Sequence, residues 1–119
     1  MRDEIMWWMS RLTIMLTSLF LSFSLAAQAY ATEIQMGSNG NLVFEPNEVT
    51  IDAGETVTFV NNALPPHNII FDKFASLSRE SLMFTPGETQ EIKFATAGDY
   101  DFKCAPHEGA GMKGVIHVK

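Results

Sequence analysis

From residue 32 onward the chain is broken about every 8 to 12 residues by turn-forming clusters: Gly37 to Asn41, Pro46-Asn47, Ala53-Gly54, Pro65-Pro66, Pro86-Gly87, Ala97-Gly98 and Gly109 to Gly111. The runs between them are short and strand-like. Ile34 to Met36, Val49 to Ile51, Thr56 to Asn61, His67 to Phe71, Thr89 to Phe94, Asp99 to Cys104 and Val115 to Val118 are rich in β-branched and aromatic residues and alternate with period two. Seven or eight such strands in one small domain predict an all-β sandwich. Alternation also assigns faces. In Asp99 to Cys104 the odd positions carry charge, so Tyr100, Phe102 and Cys104 point inward; in Glu91 to Phe94 the apolar residues share one side. Asp72 to Ser81 is the least strand-like stretch and reads as a loop with a helical turn.

The first 31 residues differ in kind. Arg2 and Arg11 flank a short mixed head, Leu12 to Ala27 is nearly all apolar or small, and Ala27-Gln28-Ala29-Tyr30-Ala31 offers two overlapping small-x-small cleavage sites. About 16 apolar residues fall short of the roughly 20 that span a bilayer, so residues 1–31 read as a cleaved secretory signal peptide and residues 32–119 as the mature domain. Cleavage after Ala31 is preferred to cleavage after Ala29, because it leaves polar Thr32 at the start.

The mature segment keeps 12 acidic against 6 basic residues and hence the net charge of -6 of the whole chain. Such a domain repels nucleic acid, and it has no basic amphipathic stretch suited to anionic membrane surfaces. A charged partner should be basic. A domain this small buries only about 60 to 65% of its chain surface and gains from a supplement to its core. The one cysteine rules out an internal disulfide, which leaves a bound metal as the natural supplement.

Exported chains generally pair their cysteines, so an unpaired Cys104 needs an occupant for its sulfur. The context supplies one. Cys104-Ala105-Pro106-His107-Glu108-Gly109-Ala110-Gly111-Met112 puts a thiolate, an imidazole and a thioether in one tight loop. Soft sulfur with imidazole suits copper, and a His2Cys set with a weak axial Met is the blue-copper arrangement. The loop lacks one histidine. His67, on the turn stiffened by Pro65-Pro66, is the candidate; His117 alternates away from Ile116 and Val118 and reads as a half-exposed strand residue. Met112 lies between a glycine-rich loop and the last strand, without the apolar neighbours of a core methionine, whereas Met36 and Met83 read as core filler. Zinc is the competing metal, but a structural zinc site closes with a fourth Cys or His rather than a thioether. No general base or second metal cluster accompanies the set, so no enzyme is expected.

These residues resemble the plastocyanin family within the cupredoxins. Cys104 to Met112 is similar to the family's ligand loop, and Pro66-His67-Asn68 followed by Ile69-Ile70-Phe71 is similar to its upstream histidine segment. The likeness extends over nearly all of residues 33 to 119, through Gly40-Asn41-Leu42-Val43-Phe44-Glu45-Pro46, Ala53-Gly54-Glu55, Val60-Asn61-Asn62, and Leu82-Met83-Phe84 with Pro86-Gly87-Glu88. The resemblance implies a Greek-key cupredoxin sandwich holding one Cu(I)/Cu(II) ion. It also implies a monomeric carrier that shuttles single electrons from cytochrome f of the cytochrome b6f complex to photosystem I. Such a carrier works in the thylakoid lumen, peripheral to the membrane; a single secretory signal suits a cyanobacterium. By the same resemblance, Asn68 braces the two ligand segments, and Leu42, Pro66 and Ala110 form an apolar surface around the edge of His107.

Two departures stand out. Lys103 occupies the position where the family usually has tyrosine, which puts any electron route through that residue in doubt. Asp72 and Glu80 are balanced by Lys73 and Arg79, so a strongly acidic recognition patch is not expected. Other readings of the same ligands are a cupredoxin that donates electrons to a respiratory oxidase and a periplasmic copper-binding chaperone.

Overall fold

A computed structural model of the chain describes residues 31–119. Apart from Ala31, the expected signal peptide lies outside the described residues. Nine strands and three short 3-10 turns follow one another: β1 Thr32–Met36, β2 Phe44–Glu45, β3 Glu48–Ile51, β4 Thr56–Asn61, β5 His67–Ile69, β6 Arg79–Met83, β7 Thr89–Lys93, β8 Gly98–Lys103 and β9 Lys113–Val118.

One sheet runs β2-β1-β4-β7, the other β3-β9-β8. The β5-β6 pair joins the second sheet through a bridge between Ile70 and Lys103, whose backbones exchange hydrogen bonds of 2.9 and 3.0 Å. β1 with β4 and β3 with β9 are parallel; the remaining pairs are antiparallel. Together these give the expected all-β sandwich, with two strands more than the alternation pattern marks out.

The two extra strands are β2 and β6. β2 is only two residues long. β6 pairs only with β5 and exposes Glu80, Ser81 and Leu82, so it has no apolar face for a pattern to reveal. The stretch expected to be a loop does contain a helical turn, Ala75–Leu77, but from Arg79 onward it is strand.

The core forms where the inward residues of both sheets meet. Phe44, Phe59 and Phe102 contact one another edge to face at centroid distances of 4.7 to 6.2 Å, and Phe71, Phe94 and Tyr100 continue the cluster. Such geometry sets the positive edge of one ring against the negative face of the next. Tyr100 keeps its hydroxyl satisfied by donating to the Thr96 carbonyl at 2.6 Å. Tyr100, Phe102 and Cys104 are buried while Asp99 and Asp101 are exposed, as period two requires. Met36 and Met83 are fully buried core residues. β8 thus delivers Cys104 to one end of a rigid core.

Candidate metal centre

Three segments meet at that end. β5 opens with His67, the strand β8 runs out at Cys104, and the 3-10 turn Ala105–Ala110 carries His107 and packs against β5. Pro106 early in that turn presets its backbone, and Gly111, at φ 88°, ends it in the left-handed region before Met112. The loop is closed by its own backbone: the Cys104 amide donates to the Met112 carbonyl at 3.0 Å, Met112 to His107 at 3.2 Å and His107 to Cys104 at 3.1 Å.

His67 Nδ1 lies 3.2 Å from His107 Nδ1 and 3.7 Å from Cys104 Sγ, and His107 Nδ1 lies 3.4 Å from that sulfur. A point equidistant from three atoms so spaced is about 2.0 Å from each, an ordinary metal–nitrogen bond length. His67, Cys104 and Met112 are fully buried and His107 is half-buried. Among the described residues no fourth His, Cys, Asp or Glu joins the group. The residue that completes the loop is Met112, whose thioether is a poor ligand for structural zinc and a suitable one for copper. The donor set therefore fits the copper ion that the sequence implies.

Burial, reinforced by the nearby His107, pulls the His67 pKa below its usual value, against a smaller opposite pull from the Ala63 carbonyl. Nε2 is turned toward that carbonyl without completing a hydrogen bond. Nδ1 is the ring nitrogen that faces Cys104 and His107. Gly37 makes room for the ring: at φ 77°, a Cβ there would stand 2.6 Å from His67 Nε2. Burial pushes the Cys104 thiol up, partly offset by the Asn68 and His107 amides. A bound cation would reverse that balance, since a coordinating thiol is deprotonated outright.

Asn68 does brace the ligand segments: its Oδ1 accepts from the Ala105 amide at 2.8 Å. His117 is the half-exposed strand residue expected of it, held between Asp99 and Glu48 and apart from the three clustered donors. The ion pairing near residue 72 reaches beyond that segment. Asp72 pairs with Lys103, and Arg79 donates to the carbonyls of Leu77, Ser78 and Glu91. Gly37, Ala63 and the Lys103 pairing escaped the sequence reading; Gly37 registered only as part of a turn.

Residues 30–119 match the family described as copper binding proteins, plastocyanin/azurin family. The chain belongs to the plastocyanin/azurin family. It is 52% identical over 95 residues to a plastocyanin of Scenedesmus fuscus, covering 72% of this chain and 97% of that one. It is also 47% identical over 106 residues to a chloroplastic plastocyanin of Tetradesmus obliquus, covering 82% and 73%. Among solved structures, the oxidized plastocyanin of Dryopteris crassirhizoma superposes with a TM-score of 0.67 at 33% identity, over 74% of this chain and all of that one. In this member of the plastocyanin/azurin family, the converging donors are His67, Cys104 and His107.

Proposed function

We propose that this chain is a type 1 (blue) copper electron carrier in photosynthesis and not an enzyme, with His67, Cys104, His107 and Met112 as ligands. The observation that carries the reading is the triangle of His67 Nδ1, His107 Nδ1 and Cys104 Sγ, sized for one metal ion and closed by a loop that ends in Met112.

Copper bound there would take up and release one electron by alternating between Cu(I) and Cu(II). The polypeptide's task is to keep the donors still while it does so. His67 and Cys104 are fixed by the core and the Asn68 brace, Met112 by its burial, and the loop's backbone hydrogen bonds link His107 to Cys104 and Met112. A site that barely rearranges between the two states has little reorganisation to overcome. His107 is the least buried of the four and offers the route to the surface. Exposed Leu64, Pro65 and Ala110, with half-buried Pro66, supply apolar surface on the segments that carry the ligands.

Membership of the plastocyanin/azurin family supports extending the proposal to partners and place. The carrier runs between cytochrome f and photosystem I as a monomer in the thylakoid lumen, peripheral to the membrane, after loss of residues 1–31; cleavage after Ala31 would free the chain at the first residue of β1. A copper chaperone would keep its donors reachable, whereas three of these four are fully buried.

The test is an absorption spectrum of the purified domain with one equivalent of Cu(II). An intense blue thiolate-to-copper band that bleaches with ascorbate is expected, and Cys104→Ser should abolish it. A colourless wild-type protein would sink the reading.

A further inference from the structure

Lys103 stands immediately before Cys104, on the face of β8 that also carries Asp99 and Asp101. Those two are exposed, yet the Lys103 side chain retains only 22% of its accessibility, because its ammonium is drawn down between two carboxylates. Nζ lies 2.9 Å from Asp72 Oδ2 and 3.1 Å from Glu108 Oε2. The two partners come from different ligand segments. Asp72 follows the stretch that begins at His67, and Glu108 follows His107 in the 3-10 turn. β8 itself leads directly into Cys104.

The turn's own hydrogen bonds give it shape but do not moor its middle. Among the described residues, apart from the contact between the two imidazoles, Lys103 to Glu108 is the one hydrogen bond or ion pair that reaches from residues 106–111 to anything outside 104–112. We propose that Lys103 is a positioning residue for the metal centre, an ionic tie that holds the His107 turn against the strands bearing His67 and Cys104. The tie lines an open surface cavity of about 430 Å³, so solvent and salt reach it. It therefore differs from the buried Asn68 brace in being screened by ions.

The role as a metal-site residue rests on the copper reading above, but the tie itself can be measured without metal. Amide hydrogen exchange of the copper-free protein at low salt reports it at His107, Gly111 and Met112, whose amides bond within the loop. Lys103→Met should speed exchange there by roughly 1.5- to fivefold, the range expected when an exposed ion pair is lost. β4 and β7 should be unaffected, Lys103→Arg should keep the protection, and wild type in high salt should approach the Met variant. If Lys103→Met does not fold, the Asp72→Asn/Glu108→Gln double variant should show the same acceleration with Lys103 left in place. In the copper-loaded protein the same variants should release metal to a chelator faster by a similar factor. Unchanged exchange, or acceleration spread equally over β4 and β7, overturns the proposal. A protein that shows the loop effect but binds no copper would keep the tie and sink only the functional reading.

Discussion

Asn68 Oδ1 accepts a 2.8 Å hydrogen bond from the Ala105 amide, which joins the strand that begins at His67 to the loop that begins at Cys104. Its Nδ2 donates to the Glu80 carbonyl at 3.2 Å, so one buried side chain ties β5, β6 and the ligand loop. Truncating it removes two part-buried hydrogen bonds at once, from the Ala105 amide and to the Glu80 carbonyl. At about 0.5 to 1.5 kcal/mol for each hydrogen bond, the loss comes to about 1 to 3 kcal/mol. Asn68→Ala should lower the copper-free protein's stability by about that amount in a denaturant titration. An unchanged midpoint would mean that water replaces the side chain.

Gly37 and Gly40 offer a matched pair. Both have positive φ, 77° and 76°, so alanine at either carries the left-handed backbone cost of about 1 to 2 kcal/mol. Only at Gly37 does the added Cβ meet anything: His67 Nε2 at 2.6 Å and the Ala63 carbonyl at 3.0 Å. Because His67 is fully buried, its ring has little room to retreat. Gly37→Ala should therefore weaken copper binding and destabilise more than Gly40→Ala. Equal effects of the two substitutions on metal affinity would contradict the packing argument.

His117 stitches three strands. Its Nδ1 meets Asp99 of β8 at 2.6 Å and its Nε2 meets Glu48 of β3 at 2.7 Å, and these carboxylates, Asp99 foremost, raise its pKa above 6.5. The folded state then binds this proton more tightly than the unfolded chain does. The clamp's contribution is complete below about pH 6.5 and fades as pH rises through the raised value. Thermal midpoints of wild type and His117→Gln should differ most near pH 6 and converge at alkaline pH. A gap that widened with pH would reverse the sign and rule out the clamp.

The strands whose alternation is plain in the sequence are those with one face on the core. In β8 the charges of Asp99 and Asp101 alternate with Tyr100 and Phe102, and the fold buries the second pair. β6 could not be read this way, because it is an edge strand with three consecutive exposed residues. The site divides similarly. Cys104, His107 and Met112 share one short loop, so their convergence was legible from spacing, and His67 followed from the need for a second imidazole. What surrounds His67 was not, since Gly37 and Ala63 reach it only through the packing of distant turns. The Lys103 tie was hidden for the same reason: Asp72 has Lys73 beside it in sequence, but β8 brings Lys103 to it in space.

Docking sets the last expectation. The mature segment carries 12 acidic and 6 basic residues, which steers a basic partner at long range, yet Asp72 and Glu108 are partly neutralised by Lys103. Leu64, 57% exposed on the turn leading into His67, offers apolar area instead. Fully burying a leucine contributes about 1.5 to 3 kcal/mol, so half of that lost from an interface weakens it roughly three- to tenfold. Leu64→Ala should slow electron transfer to photosystem I or from cytochrome f by about that factor under subsaturating conditions. Raising salt from about 0.05 to 0.2 M should change the same rate less, because it screens only the steering. A steep fall with salt and indifference to Leu64→Ala would show that charge, not this apolar surface, selects the partner.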